Sequence, residues 1–114
     1  MKLKSLFPWL AALLLAILAP TVMADDQAKP LVVGMELAYP PFEMTDTAGK
    51  PTGVSVDIAN ALGKSLARPV VIQNMAFDGL IPALKAGKVD LVISSMTATA
   101  ERAQSIDFSD PYVS

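Results

Sequence analysis

A change of hydrophobic period along the chain restricts the fold more than any other feature. Leu31-Val32-Val33-Gly34-Met35-Glu36 is rich in β-branched residues and reads as a short strand. Val54, Ile58, Leu62 and Leu66 then recur at every fourth position, which predicts one face of a helix ending near Ala67, ahead of Pro69. Asp57 falls in its first turn, where a carboxylate suits the helix dipole. Val70-Val71-Ile72-Gln73 returns to the strand pattern. Asp78 is placed as the N-cap of a second helix over 79–86, with Leu80, Ile81 and Leu84 facing inward and Gly87 just past its end. Asp90-Leu91-Val92-Ile93-Ser94 is almost wholly apolar at its centre, as a strand buried on both faces should be. Strands alternating with helices at this spacing predict right-handed βαβ units and an α/β fold, a parallel sheet with flanking helices.

The remaining segments are shorter. Residues 38–53 read as a loop with a turn at Thr47-Ala48-Gly49-Lys50, leaving room for a small hairpin. Residues 100–104 read as a short helix capped by Thr97 or Thr99, and Ile106-Asp107-Phe108 as a short fourth strand. The sequence holds no internal repeat and no low-complexity tract.

Ahead of all this stands a segment of another kind. Lys2 and Lys4 precede an apolar run over 6–19, broken only by Pro8, and Val22-Met23-Ala24 supplies a small-residue cleavage site. That is the layout of a secretory signal peptide, predicted over residues 1–24. A membrane anchor would need about 20 apolar residues in a row. The high apolar share of the 114-residue chain, 53%, is therefore concentrated in the leader, and residues 25–114 have the composition of an ordinary, mildly acidic globular domain.

Composition also excludes functions. There is no Cys and no His. Disulfides, the usual structural zinc sites, and Cys–His or Ser–His nucleophilic pairs are all closed off. A net charge of −2 gives no footprint for nucleic acid. Lipid attachment after export would need a Cys near the cleavage site, so release into the periplasm is expected.

In open parallel sheets, ligands bind beyond the carboxyl ends of the strands. Three segments are predicted to converge there: 36–42, 74–78 and 94–102. The last offers Ser94, Ser95, Thr97 and Thr99, then Arg102 in a short helix. Backbone N–H groups with an Arg beside them can grip a carboxylate; the same residues can equally be helix caps and a solvated charge. The first brings Glu36, Tyr39 and Phe42, a carboxylate and two rings, although Tyr39-Pro40-Pro41-Phe42 also reads as a packed loop. Phe77 is either a wall of the cleft or part of the core. As one edge, the set suits a zwitterionic small molecule such as an amino acid.

The same residues resemble the family 3 solute-binding proteins, the polar amino-acid receptors of ABC transporters. Val33-Gly34-x-Glu36-x-x-Tyr39-Pro40-Pro41-Phe42-Glu43 and Gly53-x-x-Val56-Asp57-Ile58-Ala59 are similar to the opening of that family. The run from Phe77 through Asp90, Ser94-Ser95-Met96-Thr97-Ala98-Thr99-Ala100-Glu101-Arg102, and Phe108-Ser109-Asp110-Pro111-Tyr112 resemble its later segments. The resemblance covers nearly all of 31–114. It implies a periplasmic-binding-protein-like (type II) fold, of which residues 25–114 make an incomplete first lobe, with the second lobe and the returning segment not included. It implies a monomer that passes an amino acid to an inner-membrane ABC permease, with no cofactor and no metal. It further implies that Arg102 clamps the ligand carboxylate with help from the Thr97 amide. Ser95 and Thr97 then contact the amino or carboxylate groups, Tyr39 and Phe77 flank the side chain, and Glu36 reads the distal group. Glu36 stands where the family more often has Asp. Ser55 stands where it often has another Asp and is expected to be a capping change, while Asp57 is expected to be structural. With half a site, the 90-residue chain left after the leader is expected to bind ligand weakly or not at all.

Two other functions use the same fold. Exported dehydratases resemble it and lytic transglycosylases carry such a domain in front, and only Glu36 at the cleft could act as their acid or base. Sensor kinases also carry such a domain outside the membrane. Residues after Ser114 would separate these from a transport receptor.

Overall fold

The computed structural model describes residues 28–113. The predicted leader lies outside them. The elements are β1 (Leu31–Met35), β2 (Met44–Thr45), β3 (Pro51–Thr52), α1 (Val54–Ser65), β4 (Val70–Asn74), a 3-10 turn (Phe77–Gly79), α2 (Leu80–Lys85), β5 (Leu91–Val92) and α3 (Ala100–Ala103).

β1 is the central strand of a three-stranded parallel sheet ordered β4-β1-β5. Leu31 lies opposite Val70 and Met35 opposite Asn74 on one side, while Val33 lies opposite Leu91 on the other. The period-two alternation of β1 sends its side chains to two layers. Leu31, Val33 and Met35 face α1 and pack with Val56, Ala59 and Ile93. On the other face Gly34 leaves space for Leu80 of α2 and for Val89. The α/β expectation of a parallel sheet with flanking helices is met.

The buried face of α1 is not the one the four-residue spacing predicts. Ser55, Val56, Ala59 and Gly63 are buried, Ile58 and Leu62 are half-buried, and Val54 and Leu66 are 42% and 49% exposed. Each four-residue step turns about 40° past a full helical turn, so the ends of such a row drift off the face. Gly63 lets α1 approach β4 closely, since a Cβ there would collide with the Val70 side chain.

The ends of α1 and α2 follow one pattern. Gly87 has φ 73, its N–H donates to the Leu84 carbonyl, and the Lys88 N–H reaches that of Ala83, a Schellman close. The close of α1 is the same, with Ala67 at φ 52 in the position Gly usually holds. Asp78 does not cap α2. It lies inside the 3-10 turn and no side-chain cap bond forms, because the chain tightens into i→i+3 bonds before the helix starts.

Two other expectations are corrected. β5 is two residues long rather than five, because only Leu91 and Val92 pair with β1 in register. Residues 106–108 form no strand and pair with no neighbour among the described residues. The small hairpin does form, β2 against β3, with Asp46 Oδ1 accepting from the Ala48 and Lys50 N–H groups across the turn. At the amino end of the sheet, Arg68 donates to the Lys29 and Pro30 carbonyls and sits 3.4 Å from Asp90, whose other contact is the Val32 N–H.

Candidate functional site

The carboxyl ends of β1, β4 and β5 do bring the three predicted segments together, and backbone donors tie them. Glu36 N–H donates to Ser94 Oγ at 2.9 Å, and Leu37 N–H donates to Asn74 Oδ1 at 2.9 Å. The Phe77 N–H donates to Glu36 Oε2 at 2.9 Å, so this carboxylate satisfies the first turn after β4. One oxygen of Glu36 is therefore committed to its own fold.

Arg102 is held from two sides. Its NH1 donates to the Thr97 carbonyl at 2.8 Å, and its guanidinium carbon lies 5.4 Å from the centre of the Phe77 ring. The helix that carries it is capped by Thr99, whose Oγ1 accepts from the Arg102 N–H at 3.1 Å. Thr99 is thus the cap, and Thr97 is free of that task. Phe77 is half-buried, forming a wall under Arg102 and not the centre of the core.

Tyr39, Ser95 and Thr97 form a second group. They line a cavity of about 570 Å³ with Phe42, Ser55, Met96 and residues 108–113. The Tyr39 and Phe42 rings stack with centroids 5.8 Å apart and planes at 18°. Their loop is pinned by an isolated bridge between Tyr39 and Glu43, which encloses the cis Pro40–Pro41 peptide. Of the six residues predicted to form the site, Glu36 and Arg102 each contact Phe77, the first through its N–H and the second over its ring. Tyr39, Ser95 and Thr97 line the adjoining cavity, joined to the first group through the Thr97 carbonyl.

Sequence reasoning missed Glu43. Its side chain is fully buried, and Oε2 accepts from Ser55 Oγ at 2.7 Å and from Ser95 Oγ at 3.0 Å. Its other oxygen, Oε1, is buried with no partner. Ser55 is therefore no cap: Gly53 holds the N-cap position at φ 118, and a Cβ there would lie 2.8 Å from the Phe42 carbonyl carbon. The signal available was a charged residue directly after an aromatic-proline run, which only the fold shows to turn inward. Tyr112 also faces this group, and its phenol is held above the ordinary value of 10.0 by burial first and by the Glu43 charge second.

A second cavity of about 620 Å³ lies along β5 and is lined by Ile58, Leu62, Leu84 and Phe108 among others. Among the described residues no His, Cys, Asp or Glu cluster is placed to hold a metal ion, and no helix is long and apolar enough to cross a membrane.

A parallel sheet with an Arg, a carboxylate and aromatic walls at its carboxyl edge is the arrangement of a small-molecule receptor. The chain belongs to the bacterial extracellular solute-binding proteins, family 3, whose model matches residues 31–114. Among relatives, it is 46% identical over 104 residues to an L-arginine-binding protein of Pseudomonas aeruginosa, spanning 90% of this chain and 39% of that protein. Among solved structures, an ancestral arginine-binding protein bound to arginine superposes with a TM-score of 0.72 at 49% identity, over 74% of this chain and 37% of that one. The arginine-bound form of domain 1 from TmArgBP superposes with a TM-score of 0.72 at 44% identity, over 73% of this chain and 66% of that one.

Proposed function

We propose that this chain carries the first-lobe half of an amino-acid site in an exported receptor that feeds an inner-membrane ABC permease. Residues 1–24 act as the leader that directs export, and 25–114 form the N-terminal part of the lobe. One observation carries the reading: Arg102 is aimed by the Thr97 carbonyl and stacked on Phe77, whose N–H is held by the Glu36 carboxylate. The guanidinium keeps further N–H donors for a ligand carboxylate, and the Thr97 amide adds another. Tyr39 and Phe77 cover the ligand's side chain, and the uncommitted oxygen of Glu36 takes a cationic end. That polarity suits arginine or a similar cation, the ligand for which the Pseudomonas relative and the two solved structures are named. A monomer closes on its ligand when a second lobe meets this one.

We favour binding over the enzyme alternative, which would have to draw its acid or base from a carboxylate already engaged in the fold. Glu36, the one candidate acid or base at the cleft, already accepts the Phe77 N–H through Oε2. A binding role uses that carboxylate as it stands.

With one lobe, the site faces solvent, and binding is expected to be weak but not absent, a narrowing that the arginine-bound form of domain 1 from TmArgBP supports. Amide shifts in nuclear magnetic resonance, read on residues 25–114 during titration with L-arginine, test this. Expected are shifts centred on Thr97 and Arg102 that saturate only near the millimolar range. Micromolar saturation would overturn the half-site reading. An absence of shifts with arginine and with the other amino acids would overturn the ligand reading itself.

A further inference from the structure

The Glu43 carboxylate lies behind the cavity wall and takes no part in the ligand contacts of Arg102, Glu36 and the two rings. Its burial is complete, and two hydroxyls converge on a single oxygen while the other meets no donor. An unpartnered buried carboxylate oxygen is costly, and such a group in a folded protein calls for a reason. Both hydroxyls that it engages, Ser55 and Ser95, line the cavity. Ser95 is also one of two residues other than glycine with positive φ among those described, at 52°. The backbone is thus turned into a sparsely populated region at the point where the Glu43 bond is made.

A hydroxyl has one proton and two lone pairs, and a carboxylate oxygen only accepts. The proton of Ser95 is committed to Glu43 Oε2. Only lone pairs then remain to face the cavity. We propose that Glu43 is a positioning residue that makes the Ser95 hydroxyl an acceptor toward the cavity, so that it takes the ligand's α-ammonium and refuses its carboxylate. This rests on the proposed amino-acid function and decides between the two ligand groups that Ser95 could meet. Arg102 presents only donors and Ser95 presents only an acceptor, so the two ends of a zwitterion have one orientation in the site. An ammonium has donors alone and fits Ser95; a carboxylate there would place acceptor against acceptor.

The test compares L-arginine with its des-amino analogue, which keeps the carboxylate and guanidinium, by amide-shift titration of the 25–114 chain. The unmodified chain is expected to prefer L-arginine by about tenfold, the scale of one hydrogen bond to a charged group. Ser95→Gly keeps the backbone free to hold φ 52 and removes the hydroxyl; this preference is expected to vanish. Glu43→Leu is expected to remove it too, and to have no further effect when combined with Ser95→Gly. If Glu43→Leu does not fold, Glu43→Gln takes its place and is expected to reduce the preference in the same direction. Equal affinity of the unmodified chain for both ligands would overturn the proposal. So would a Glu43 variant that folds and weakens both ligands by the same factor, since that marks a scaffold role alone. Failure of the unmodified chain to bind either ligand would instead strike the amino-acid function on which the proposal stands.

Discussion

Arg102 holds two contacts that a lysine cannot reproduce together: a directed N–H bond to the Thr97 carbonyl and a flat face over Phe77. Arg102→Lys keeps the charge and loses both the fork and the stacking. The expected outcome is about tenfold weaker arginine binding with an unchanged circular dichroism spectrum. A second prediction concerns Tyr112. Its phenol is expected to ionise above 10.0, because burial and then the Glu43 charge oppose the phenolate. Ultraviolet titration of Glu43→Gln is expected to move it down only part of the way, since burial is the larger cause. A raised folded-state value gives stabilisation that is present below pH 10.0 and lost as pH climbs through the folded-state value. Tyr112 is 58% exposed, so solvent screening keeps that contribution small.

At the scale of elements, the two helix ends that close β–α units differ by one methyl. α2 ends on Gly87, while α1 ends on Ala67 with the same left-handed backbone. An L residue with a Cβ is strained there and glycine is not. Ala67→Gly is expected to stabilise the fold by about 0.5–1 kcal/mol, read from the denaturant midpoint. The elements also show how much was legible in the sequence. β1, α1, β4 and α2 were, because each carries a run of apolar residues at its own period. β5 was overestimated, since past Val92 the chain keeps only the Ile93 N–H bond to the Gly34 carbonyl, while the Ile93 side chain enters the core and the Ser94 hydroxyl turns to the Glu36 N–H. Asp78 looked like a cap because capping preference is local, whereas the 3-10 turn before α2 is set by the Glu36 carboxylate drawing in the Phe77 N–H across 41 residues.

For the molecule as a whole, stability is concentrated on β1. It is hydrogen-bonded on both sides, and Val33 and Met35 are fully buried. β4 and β5 each pair on one side only among the described residues. Hydrogen exchange is expected to be slowest at Val33, Gly34 and Met35 and faster at Leu91 and Val92. An inverted order would contradict the placement of β1 at the centre.

The amino-acid sequence by itself determined the strand–helix alternation, the parallel sheet it implies, and the segments that meet at its carboxyl edge. Those follow from hydrophobic period and from the short reach of βαβ connections. It also carried Arg102, Thr97, Tyr39 and Glu36 as site candidates, because their chemistry is visible in the residue type. The tertiary structure alone decided which face of α1 is buried, that Ser55 bonds a carboxylate instead of capping, and that Glu43 turns inward between Ser55 and Ser95. Each of these depends on a partner far along the chain or on the drift of a helix face around its axis. Local pattern records neither a distant donor nor the angle at which a helix meets its sheet.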